Sequence, residues 1–88
     1  MDALKELRNH MIYKLEQELN GREFEIHANE CENDYVITIY PRWDWDILTI
    51  PMLKKWVKES GVPFSKMSGN KRKAEFIGRD YLQLRVYK

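Results

Sequence analysis

Three groups of side chains in this 88-residue chain have types and spacings that could do chemistry. The first is His27 and Cys31, four positions apart with Glu30 and Glu32 between and beside them. Imidazole and thiolate are zinc ligands, but a tetrahedral site needs four, and His10 is the one other histidine. Cys31 also sits among acids, which disfavour its thiolate and so its use as a nucleophile. The second group is Asp44 and Asp46, two carboxylates on alternate positions that could share a Mg²⁺ ion. Phosphoryl chemistry asks for a third acid or a positioned lysine as well, and neither accompanies them. These residues point to a protein that is not an enzyme and carries no metal or cofactor.

The third group carries the functional expectation. Tyr81, Gln83, Arg85 and Tyr87 alternate along one run, with Lys71, Arg72, Lys73 and Arg79 just before it and Lys88 after. Alternation puts all four of the run on one face of a strand. Aromatic rings there can stack bases while Lys and Arg neutralise phosphates. Lys54, Lys55 and Lys58 would extend the phosphate track if their helix lay beside that face. The pattern predicts binding of RNA or another single-stranded nucleic acid. RNA is favoured because an open aromatic sheet suits splayed bases rather than a duplex groove. The stretch Gly78-Arg79-Asp80-Tyr81 lacks the glycine–aromatic–glycine core of an RNA-recognition motif, so no family assignment follows.

Charge patterning supplies a competing expectation. Up to Asp46 there are five Lys or Arg against eleven Asp or Glu, a net −6; from Ile47 onward there are ten against three, a net +7. The overall +1 therefore conceals a dipolar chain. Its acidic half, through Glu30, Glu32, Asp34, Asp44 and Asp46, would serve a protein-interaction module or an inhibitor of the accessory type that phages and other mobile elements encode. Such a surface can imitate the charge of a nucleic acid. The two halves could also complement one another between copies, giving a homodimer.

The elements that must position these groups follow from periodicity. Leu4, Leu7, Met11, Leu15 and Leu19 recur at helical spacing, with Asp2 as N-cap and Gly21 after Asn20 as the stop. Arg8 and Glu18 fall at the rim of that stripe. Phe24, Ile26 and Ala28 form the inner face of a strand, residues 29–34 a loop, and residues 35–40 a second strand ended by Pro41. Tyr35, Ile37 and Ile39 share its inner face, and Trp43 and Trp45 continue that parity as a buried join. Thr49-Ile50-Pro51 opens a second helix whose inner face is Leu53, Trp56, Val57 and Ser60 and whose outer face carries Lys54, Lys55 and Lys58. Gly61 ends it, with Val62 folding back. Residues 62–70 read as a mobile connector, residues 74–77 as a third strand, Gly78-Arg79-Asp80 as a turn, and Tyr81–Tyr87 as a fourth strand with Leu82, Leu84 and Val86 inside.

The sum is a single α+β domain over residues 1–88, in the order α-β-β-α-β-β, with an antiparallel sheet of about four strands and both helices on one face. With 43% apolar and 33% charged residues the chain can bury a core, of stability on the order of 5 kcal/mol. No apolar run approaches the ~20 residues that span a bilayer, and the acid-bearing N-terminus is unlike a signal peptide, so the cytoplasm is expected.

Overall fold

The computed structural model describes residues 2–41, 47–74 and 79–88, and at 73, 74 and 79 the backbone alone. Helix α1 (Ala3–Leu19) begins at an extended Asp2, whose carboxylate accepts from the N–H groups of Leu4 and Lys5 at 3.1 and 3.3 Å. Two of the helix's unpaired donors are thereby satisfied. Leu7, Met11 and Leu15 are fully buried and Leu19 nearly so, each contributing about 1.5–3 kcal/mol of burial. Arg8 and Glu18 are exposed, and so is Tyr13 on the far side. The left-handed stop starts one residue earlier than expected, at Asn20 with φ 48°, and continues through Gly21 with φ 87°. Asparagine is the non-glycine residue that best tolerates this conformation.

Strands β1 (Phe24–Glu30) and β2 (Asp34–Pro41) form an antiparallel hairpin that runs from the pair Phe24–Pro41 to the pair Glu30–Tyr35. The loop expected over residues 29–34 is therefore only Cys31-Glu32-Asn33. Its closure is a 2.8 Å bond from the Cys31 N–H to the Asp34 carbonyl. Asn29, Glu30 and Asp34 are poor strand formers, but extending an existing ladder satisfies their backbone groups whatever their propensity. Pro41, expected to end β2, is itself paired opposite Phe24 and is the last described residue of the strand.

Helix α2 (Ile50–Glu59) opens with the Thr49 hydroxyl accepting from the Met52 N–H at 3.3 Å and with Pro51 in its first turn. Leu53, Trp56 and Val57 are buried. Ser60 caps the end: its hydroxyl donates to the Val57 carbonyl and accepts from the Val62 N–H at 3.2 Å. Gly61 has φ 79°, and Val62 returns to the core at 4% exposure.

The second hairpin departs most from expectation. Strand β3 runs Lys66–Ala74, through what reads as a mobile connector, and β4 runs Arg79–Tyr87. Arg79 and Asp80, expected in a turn, pair instead with Ala74 and Lys73. Pairing with β4 overrides the loop-like composition of Ser65, Ser68, Gly69 and Asn70. Residues 75–77, expected within the third strand, and Gly78, expected in the turn, lie outside the described residues. So do Trp43 and Trp45, and with them the join they were expected to make.

The sheet order is β1-β2-β4-β3, every neighbouring pair antiparallel. Tyr35, Ile37, Ile39, Leu82, Leu84 and Val86 share one core with the stripes of α1 and α2. Both helices therefore cover one sheet face, and the even-numbered residues of β2 and odd-numbered residues of β4 occupy the other. The α-β-β-α-β-β order is as expected. No helix among the described residues is long and apolar enough to cross a membrane.

Candidate nucleic-acid interface

Register fixes what meets on the helix-free face. β2 and β4 are the central strands, so their outward residues form the middle of that surface. One row across it holds Glu25, Tyr40, Tyr81 and Arg72. The next holds His27, Thr38, Gln83 and Asn70, and the third Asn29, Val36, Arg85 and Ser68. Asp34, Tyr87 and Lys66 end the grid.

Its centre is aromatic. The rings of Tyr40 and Tyr81 stand 5.2 Å apart at centroids, tilted by 40°. His27 meets Tyr40 edge-on at 5.7 Å. Such spacings are those of favourable ring pairs, which add about 0.5–1.5 kcal/mol beyond burial. Both tyrosines are half-buried, so they are held by their neighbours yet stay partly open to solvent. Neither Tyr40 nor His27 is singled out by local sequence pattern. Their outward parity is legible, but their place beside Tyr81 depends on β2 pairing with β4 rather than with β3.

The cations are distributed differently from the sequence expectation. Arg72 lies directly opposite Tyr81 and Lys66 opposite Tyr87. Lys66 places its ammonium 4.9 Å from the Tyr87 ring centre, a cation–π contact that occupies one face of that ring. Tyr87 is thus already stacked upon. Arg85 is half-exposed, but its Nη1 donates to the Asp34 carboxylate at 2.9 Å, so much of its charge is spent inside the fold. Lys71 pairs with Leu82 and so belongs to the helix-side parity. Lys73 and Arg79 are placed by backbone register alone, opposite Asp80 and Ala74. Lys54, Lys55 and Lys58 ride on α2 behind the sheet, and the fold does not bring them together with the tyrosines.

The acidic candidates are partly consumed as well. Asp34 is 6% exposed and bound to Arg85, so it is a buried anchor rather than a surface acid. Glu30 accepts from the Lys88 ammonium at 2.8 Å, and the Cys31 carbonyl accepts from the same group at 2.9 Å. That hydrogen bond to Glu30 raises the Lys88 pKa above its ordinary 10.5, against a lowering by desolvation. Glu32 is exposed in the hairpin turn, whereas Asp44 and Asp46 lie outside the described residues. The −6 and +7 halves therefore begin to neutralise one another within a single chain, because β2 and β4 are neighbours. This removes part of the charge expected to drive self-association.

No protein-family model matches this chain, nor does any curated protein or solved structure. Its function has to be read from geometry. No three His, Cys, Asp or Glu groups converge to hold a metal among the described residues. On the helix side an open hollow of about 500 Å³ is lined by Ala3, Tyr35, Pro63, Phe64, Ser65 and Lys88. The one ammonium among its described lining residues is that of Lys88, already taken by Glu30 and the Cys31 carbonyl. The hollow therefore presents carbon rather than a reacting group.

Proposed function

We propose that the helix-free sheet face binds single-stranded nucleic acid, RNA in preference to DNA, in a regulatory or inhibitory role without catalysis. The observation that carries this reading is the Tyr40–Tyr81 pair, 5.2 Å apart on the two central strands. Stacking a base on such a ring is worth about 1–3 kcal/mol and needs no particular sequence. Arg72 flanks the pair on the β3 side, directly opposite Tyr81, and Lys66 lies at the far end of the same strand opposite Tyr87, so a phosphate backbone could run along β3 between them. Of the sequence-derived residues, Tyr81 and Arg72 thus become the centre of the interface. Arg85 and Tyr87 become supports of it, and the α2 lysines fall outside it. The bridging of Asp34 and Glu30 leaves the acidic-surface alternative with less exposed charge to offer a basic protein.

The test is fluorescence anisotropy with labelled RNA and DNA of about ten nucleotides, within the site sizes of small sheet domains. Tyr40→Leu combined with Tyr81→Leu keeps apolar, sheet-compatible side chains and removes the rings. The expected result is RNA binding that weakens at least about tenfold in the double variant. Equal binding by wild type and double variant would remove the tyrosine pair from the interface.

A further inference from the structure

Beside the tyrosine pair lies a row in which two neighbouring carboxamides are uncommitted. Gln83 follows Tyr81 by two residues on β4, about 7 Å along the same face. Asn70 sits directly opposite Gln83 on β3. Among the described residues no side-chain hydrogen bond engages either amide. Gln83 is half-buried and Asn70 exposed, so one amide is restrained by its neighbours and the other can adapt.

We infer that Gln83 and Asn70 read the edge of the base stacked on Tyr81 and select adenine. This rests on the nucleic-acid reading above. A base lying on the Tyr81 ring is wider than the ring, and its edge extends along the strand toward the next outward residue, Gln83. A carboxamide offers one acceptor and an NH₂ donor side by side. Adenine answers with the N6 donor and N7 acceptor adjacent on one edge, the geometry that Asn and Gln meet bidentately. Guanine shows two acceptors, O6 and N7, on that edge, and pyrimidines have no N7, so the selection follows from the base turning its N6/N7 edge toward Gln83. Thr38, the neighbour of Gln83 on the other side, is 8% exposed and covered by its surroundings, so it leaves the reading to the two amides. The stacked rings then supply affinity and the amides supply choice.

The experiment measures binding of equal-length oligoadenylate, oligocytidylate and oligouridylate RNAs to the wild type and to the Gln83→Ala, Asn70→Ala double variant. Circular dichroism confirms that the variant keeps its fold. The expected result is a wild-type preference for oligoadenylate of roughly tenfold, matching one bidentate contact, which the variant loses while still binding oligouridylate. Equal wild-type affinity for all three, preference for another base, or an adenine preference that survives in the variant overturns the inference and leaves nucleic-acid binding standing. No binding of any of the three RNAs overturns both.

Discussion

The carboxylate of Asp34 and the guanidinium of Arg85, 51 residues apart in sequence, meet at 2.9 Å on the helix-free face of the sheet. The two ends of this contact differ in environment, since the Asp34 side chain is 8% exposed and that of Arg85 49%. A carboxylate so covered has exchanged water for one charged donor. Removing that donor leaves it unsatisfied, which costs more than the contact itself contributes.

Arg85→Ala is therefore expected to destabilise the protein by about 2 kcal/mol, the usual penalty for a buried polar group left without a partner. For a domain of this size that lowers the melting temperature by roughly 10 °C. Asp34→Asn should cost less, because its side-chain oxygen can still accept from Arg85. The two changes combined should cost less than their sum, as coupled neighbours do. Thermal unfolding of the three variants measures this, and strict additivity would show that the pair is not coupled. Any loss of nucleic-acid binding on Arg85→Ala must be read against that loss of stability.

Gly69 is placed where α2 comes down on the sheet. A Cβ on it would lie 2.5 Å from Cγ2 and 3.1 Å from Cδ1 of Ile50, and 3.2 Å from Cδ1 of Leu84. The first distance is shorter than packed carbon atoms adopt, so the first turn of α2 or β3 would have to shift. Gly69→Ala is expected to cost about 1–3 kcal/mol by overpacking. Ile50→Ala removes the obstructing atoms, so the double variant should lose less than the two single variants together. Urea denaturation decides it, and a Gly69→Ala protein as stable as the wild type would mean that α2 does not rest on β3 there.

The same glycine shows why part of this fold was legible in the sequence and part was not. The stripe from Leu7 to Leu19 and the alternation of Leu82, Leu84 and Val86 bury at near-complete levels, because each element's own period dictates its inner face. Both helix starts were legible too, since Asp2 and Thr49 act on donors two or three residues away. Residues 66–70 were not legible as strand. Serine, glycine and asparagine have loop propensity, and only the ladder to β4 and the room Gly69 leaves for Ile50 make them extended. The candidate site divides in the same way. Tyr81 could be found from alternation, but its neighbour Tyr40 could not, because sequence shows which face a residue takes and not which strand lies beside it.

The salt dependence of binding separates the two sets of cations by where the fold puts them. Releasing counterions from a single strand gives a slope of about −0.7 in log affinity against log salt for each phosphate neutralised. Arg72 and Lys66 lie on the tyrosine face, so Arg72→Ala with Lys66→Ala should make the slope shallower by about 1.4, if each holds one phosphate. Lys54→Ala with Lys58→Ala, on α2 behind the sheet, should leave it unchanged. Tyr81→Leu should lower affinity at every salt concentration without altering the slope, because stacking releases no ions. Titrations over a range of salt concentrations measure all three. A slope that answers to the α2 lysines and not to Arg72 and Lys66 would move the phosphate track to the helical face, and the tyrosines would then be cross-strand packing alone.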